Sequence, residues 1–271
     1  MRIYDIFCDA SVDKSLRGAC AGALITERGS QITQLKTIIQ PTGTNNSGEI
    51  CAVLIGVLSA IEIKENTHDQ CVFNIFSDSI ISINGCRNWI FNWIANANKN
   101  NNFTFVNTSG TPVINQIYFK LIFNNIIMHN LDLHFYHQIG HVDTSYKYAK
   151  LIEEFKKING INLVRLGLTA ECISSNNSYV DHRTRDILRA YKEQQKITID
   201  GCTFDIVANT EYETISDTMP IPYINVVDNP PNEDEHFGMH ILTGKQIISK
   251  YAALVHALEY PGGNKILKYI S

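Results

Sequence analysis

The sequence predicts an α/β protein: a mixed five-stranded sheet flanked by helices, with a small C-terminal α+β extension. Three observations predict it. β-rich segments at 3–10, 18–26 and 31–40 follow one another through short links, the pattern of an antiparallel meander. Two later apolar runs, 71–76 and 131–139, are reached only through stretches of helical periodicity, as parallel pairing requires. Near the C-terminus, Asp200-Gly201 between β-rich flanks signals a hairpin.

The elements follow in order. The first strand is bounded by a turn at 12–14, and the second and third are joined at Arg28-Gly29. Residues 41–46 are turn-forming, and residues 47–63 carry Ile50, Val53, Leu54, Val57, Leu58 and Ile61 at helical spacing. The run at 71–76 reads as a buried parallel strand. Short helices follow at 79–86 and 88–98, then an irregular polar stretch, a helix at 113–128 and the last strand. Beyond it, residues 146–159 and 177–194 are helical, and 161–175 is ambiguous. A hairpin at 197–207, a Pro-rich acidic connector at 220–237 and a helix at 243–260 complete the chain.

The chain has 271 residues, enough for about two domains. Its formal charge is −4, so nucleic-acid binding has to come from a local site and not from a global basic field. Residues 1–186 hold 16 basic and 16 acidic side chains, whereas residues 187–271 hold 7 and 11. The longest mainly apolar run, 51–61, is too short for a bilayer, and Asp5 and Asp9 argue against a secretory signal. The expectation is a protein with no membrane association. Its seven cysteines are scattered and form no CxxC pair, which speaks for a reducing, cytoplasmic setting and against a thiolate zinc cluster.

Three acids carry the chemistry. Asp9 lies in an otherwise apolar first strand, where an acid is costly unless paired or ligating a cation. Asp78 sits just past a buried-looking strand, and Glu49 opens the first long helix. Singly, each has an ordinary reading: a strand end, a charge complementing the helix dipole, a helix cap. Together they gather like charges at one end of a sheet, an arrangement best tolerated around a divalent cation. All-oxygen ligands select a hard ion, Mg²⁺ or Mn²⁺.

In this order the residues resemble type 1 ribonuclease H. The resemblance is carried by Asp9, by Thr44-Asn45-Asn46-Ser47-Gly48-Glu49 and by Asp78-Ser79. It continues through Asn84-Gly85, through Trp89-Ile90-Phe91-Asn92-Trp93 as a handle helix, through Pro112-Val113-Ile114-Asn115, and through Ile139-Gly140-His141. Asn177-Ser178-Tyr179-Val180-Asp181 resembles the segment that opens the family's last helix with a fourth acid, and Asp186 is the substitute. The interval from His141 to Asp181 is longer than in the family, implying an insertion near 142–176. The expected division is a nuclease domain over 1–194 and an extension of unknown role over 195–271, open to a protein partner.

The resemblance implies hydrolysis of the RNA strand of RNA–DNA hybrids by two metal ions about 4 Å apart. By the same resemblance, Asp9, Glu49, Asp78 and Asp181 are metal ligands and His141 assists proton transfer or product release. Asn45 and Asn46 suit the minor groove, Arg28 and Thr44 a phosphate pocket, and Trp89 and Trp93 the DNA backbone. Two departures weaken grip: Ile80 replaces a Gln that contacts the hybrid, and the handle stretch 94–99 has one Lys where bacterial handles are basic. Two alternatives stand beside this reading: a catalytically silent binding or assembly module on the same fold, and a resolvase- or integrase-like nuclease.

Overall fold

The structure is a computed structural model that describes residues 1–15, 18–30, 33–40, 43–99, 104–140 and 148–196. Five strands form one sheet: β1 (Arg2–Asp13), β2 (Gly18–Glu27), β3 (Thr33–Gln40), β4 (Cys71–Ser77) and β5 (Leu133–His137), in the order β3-β2-β1-β4-β5. The first three are antiparallel neighbours, and β4 and β5 are added in parallel, as predicted. The helices are α1 (Asn45–Glu65), α2 (Ile80–Asn84), α3 (Ile90–Lys99), α4 (Gln116–Met128), α5 (Tyr148–Asn159) and α6 (Ala170–Lys196). A π-helical turn, Gly85–Trp89, joins α2 to α3. The described residues fall into two compact units, 1–83 with 133–196, and 84–132.

In the first unit the pleat of β1 sorts side chains between two helical layers. Ile6, Cys8 and Ala10 face α1, where Gly56 and Gly48 bring the helix backbone close. Phe7 faces the other way, into a core with Leu24, Phe76, Leu151, Phe155, Ile173 and Val180. Gly22, the β2 partner of Asp9, lies under α6, and a Cβ there would meet Thr184 Cγ2 at 2.6 Å. The stretch expected as an insertion contributes to the core: Phe155 joins Phe7, Phe76 and Tyr136, packed ring on ring at 5.1 to 6.3 Å. Among the described residues, α1 has the length and apolarity of a membrane span. Here its apolar side chains, Ile50, Val53, Leu54 and Val57 among them, are buried.

Several boundaries differ from the sequence expectation, the helix expected at 113–128 beginning at Gln116 among them, and three have a plain cause. β1 runs through the turn expected at 12–14, because Asp13 still pairs with Gly18 of β2. α1 begins at Asn45, not 47, behind a capping box in which Thr44 and Ser47 exchange hydrogen bonds. The ambiguous 161–175 stretch resolves into a 3₁₀ turn at Leu163–Leu166 and the start of α6, so α6 begins seven residues before the expected 177. The hairpin, connector and helix expected at 197–207, 220–237 and 243–260 lie outside the described residues.

The second unit packs around Trp93, whose ring meets Phe119 edge-on at 5.0 Å and Phe105 at 6.1 Å. Gly85 lies so close under the Phe119 ring that any side chain there would collide with it.

Candidate active site

The last paired residues of β1 and β4 are Cys8 and Ser77, so Asp9 and Asp78 emerge side by side where β4 ends. Glu49 comes from the second turn of α1, held against the sheet by the close approach of Gly48 to Ala10 and Ala19. Carboxylate oxygens of all three lie within 4.8 Å of one another. The ordinary readings of these acids fail. Asp9 is inside a strand that continues to Asp13. Glu49 is 7% exposed and beyond the first helical turn, too deep to act as a surface charge on the dipole. The cap of α2 is Ser79, whose hydroxyl accepts from the Ser82 N–H, not Asp78.

A second acid on β1 provides the contrast. Asp5 is 2% exposed and fully served: Arg28 reaches it through Nε at 2.6 Å and Nη2 at 2.7 Å, and Asn74 donates at 2.8 Å. Asp9, about 13 Å further along the strand, receives the Ala10 N–H at 2.7 Å, and no described ion pair includes it. Glu49 Oε2 is buried with no hydrogen-bond partner among the described residues. Burial, then repulsion from Asp78, pushes Asp9 up to about 8. Burial, then repulsion from Asp9, pushes Glu49 up to about 10. An orphaned buried oxygen and mutually repelling carboxylates fit a hard divalent cation, which would supply the missing positive charge.

Neighbouring side chains orient Asp78. His137 Nε2 lies 3.1 Å from the Asp78 carbonyl, and Asn159 of α5 clamps the His137 backbone at both its N–H and its carbonyl. Asn177 points its amide at Asp78 Oδ2 from 3.5 Å and accepts from Gln138. Gly140 passes so close to Asp78 that a Cβ there would overlap its carboxylate.

The other expected site residues divide. Asp181 is in the body of α6, not at its start; its carboxylate is held by Arg185, and although its negative charge reaches Asp9 and Glu49 it is not one of the three acids whose oxygens cluster. Asp186 is exposed and 3.7 Å from Arg189, and it is not among the charges acting on Asp9 and Glu49, whereas Asp181 is. Asn45 and Asn46 are exposed in the first turn of α1. Trp89 is 38% exposed. Arg28, expected in a phosphate pocket, is engaged by Asp5 and the Leu166 carbonyl. Thr44, expected beside it, is the helix cap, and Trp93, expected against DNA, is 8% exposed in an aromatic core. His141 lies outside the described residues. His137, Gln138, Asn159 and Arg185 are not among the site residues expected from the sequence. Only Arg185 carried a local signal, its i+4 spacing from Asp181.

A family model described as RNase H matches residues 2–147, which hold all three clustered acids. The chain belongs to the RNase H family. Ribonuclease HI of Haemophilus influenzae is 30% identical over 128 residues, 47% of this chain and 73% of that protein. Solved RNase H structures resemble it more distantly. The solution structure of the PFV RNase H domain is 18% identical, covering 66% of this chain and 94% of that one at a TM-score of 0.40. LC11-RNase H1, solved in complex with an RNA/DNA hybrid, is 15% identical, covering 58% and 97% at a TM-score of 0.36. The mixed five-stranded sheet of this RNase H family member is the one expected from its sequence.

Proposed function

We propose that this chain hydrolyses the RNA strand of RNA–DNA hybrids in a reaction that uses two divalent cations, Mg²⁺ or Mn²⁺. The observation that carries the reading is the cluster of Asp9, Glu49 and Asp78 in an RNase H family chain. Asp9 would serve both cation positions, Glu49 and Asp78 one of them, and Asp181 the other. Bound divalent ions supply Lewis acidity for the attacking water and the leaving 3′ oxygen.

The chain's own residues do the positioning. The Ala10 N–H fixes one oxygen of Asp9, and Asn177, held by Gln138, steadies Asp78. Asn45 and Asn46 offer donors and acceptors to 2′-hydroxyls and base edges of the minor groove. Trp89, 38% exposed, would offer its ring to the DNA backbone. Arg28, Thr44 and Trp93 are left to structural work, given their internal partners. His141 would exchange a proton with water or the leaving group at near-neutral pH. These residues support placing the nuclease within 1–194.

The test is cleavage of labelled RNA–DNA hybrid, duplex RNA and duplex DNA with Mg²⁺, with Mn²⁺ and with a chelator. The expected result is metal-dependent loss of the RNA strand of the hybrid alone. An intact hybrid under both ions, or equal cleavage of duplex DNA, overturns the reading.

A further inference from the structure

Arg185 lies one helical turn beyond Asp181 and donates from Nη2 to both of its carboxylate oxygens, at 2.7 Å each. The Asp181 side chain is 15% exposed and that of Arg185 50%. This part of α6 sits directly on the carboxylate end of the sheet. Ser11, two residues after Asp9, meets Thr184 at 3.0 Å, and Val180 and Thr184 cover Gly22, the partner of Asp9. One turn earlier, Asn177 points at Asp78. Asp9 and Glu49 both feel the negative charge of Asp181, and Asp9 feels the positive charge of Arg185. Among the described residues no ion pair includes Asp9 or Glu49, whereas Asp181 carries its own cation.

A carboxylate with both oxygens engaged by a guanidinium is a poor cation ligand, and the guanidinium repels an arriving cation. The Arg185 side of the pair is half exposed, so the guanidinium can exchange into water; a fully buried pair would be too costly to break. Arg185 also has somewhere to go. With Arg189 and Lys192, themselves paired with Asp186 and Asp13, it lines a groove that also holds Asp181, so a cation taken up by Asp181 leaves Arg185 as the group there without a carboxylate and able to take a phosphate.

We propose that Arg185 is an exchangeable counter-ion: it holds Asp181 in the ion-free protein, leaves it when a divalent cation binds, and then takes a phosphate of the nucleic-acid strand. Arg185 is thus a positioning residue for Asp181, and the inference rests on the metal-dependent hydrolase reading above.

The experiment is Mn²⁺ binding to nucleic-acid-free full-length protein, followed by electron paramagnetic resonance, for wild type, Arg185→Gln, Arg185→Lys, Asp181→Asn and the Asp181→Asn/Arg185→Gln double variant. Arg185→Gln should tighten the weaker Mn²⁺ association about fivefold, equivalent to ~1 kcal/mol. Arg185→Lys, which keeps the charge and loses the fork, should tighten it less. In the Asp181→Asn background, Arg185→Gln should give a clearly smaller gain, the residue of through-space repulsion alone. With Ca²⁺ present, hybrid affinity of Arg185→Gln should fall, with a salt slope shallower by about one. Unchanged Mn²⁺ binding in Arg185→Gln overturns the proposal, as does an equal gain in the Asp181→Asn background, which would mark a mere through-space charge effect. A wild type that binds Mn²⁺ yet cleaves no hybrid removes the hydrolase reading, while the binding cycle still decides the role of Arg185.

Discussion

Asp9→Asn should abolish hybrid cleavage and, in the same protein, raise the stability of the ion-free fold. Asn keeps the oxygen that accepts the Ala10 N–H and removes the charge that Asp78 and Asp181 oppose and that itself repels Glu49. The sign follows from linkage. The folded state holds the Asp9 proton up to about pH 8, against an ordinary value of 3.8. Its contribution is therefore fully favourable below about pH 4 and is lost progressively as pH rises to about 8. At pH 7 the span covers about three pH units, at ~1.4 kcal/mol each, a ceiling of roughly 4 kcal/mol. Part of the repulsion is relieved by protonation of Glu49, and the buried amide keeps its own desolvation cost, so the expected gain is about 1–2 kcal/mol. That corresponds to about 2–8 °C in Tm for a domain of this size. The assay is thermal unfolding in chelator at pH 5, 7 and 8.5, repeated with Mg²⁺. The variant should lead wild type by a margin that widens with pH, and Mg²⁺ should stabilise wild type more than the variant. A variant no more stable than wild type at pH 8.5 in chelator, or one that cleaves hybrid at the wild-type rate, refutes the reasoning.

Three further outcomes are expected. Asp181→Asn should lower the cleavage rate by at least about tenfold more than Asp186→Asn, since Asp186 is exposed and not among the charges acting on Asp9 and Glu49; equal rates would move the fourth acid elsewhere. Gly140→Ala should displace the Asp78 carboxylate and cost about 10²-fold in rate with a smaller loss in Tm; wild-type kinetics would show that the loop yields instead. Trp93→Ala should destabilise the fold by about 3–5 kcal/mol in denaturant titrations, whereas Trp89→Ala should leave stability within about 1 kcal/mol and weaken hybrid binding; the reverse order would exchange their roles.

The sheet order was legible because apolar periodicity and link length constrain pairing, and both are local. The three acids were legible because an acid in an apolar strand is conspicuous and their chain order is distinctive. What escaped notice depended on distant partners. Arg28 is structural because Asp5 and Leu166 meet it, 23 positions before and 138 after in the chain. Trp93 is core because Phe119 closes on it. The start of α6 was hidden because Ser and Asn compete with helical hydrogen bonding in isolation. There, Ile173, Ser174 and Asn177 are helical with their side chains buried. The length of β1 was hidden because Ser11 and Asp13 look like turn residues, and the β2 ladder overrides them.

The family match ends at residue 147, one residue before α5 begins. The aromatic stack shows that the folded core does not end there. Excising residues 2–147 would strip Phe155, Leu151 and Leu163 from Phe7, Phe76 and Tyr136 and leave a greasy sheet face open to self-association. Phe7 and Phe76 each stand two residues before a clustered acid, so the same cut would loosen the ends from which Asp9 and Asp78 project. A minimal version of this protein has to run to the end of α6, and any shortening scheme has to treat 148–168 as framework, not as a removable loop.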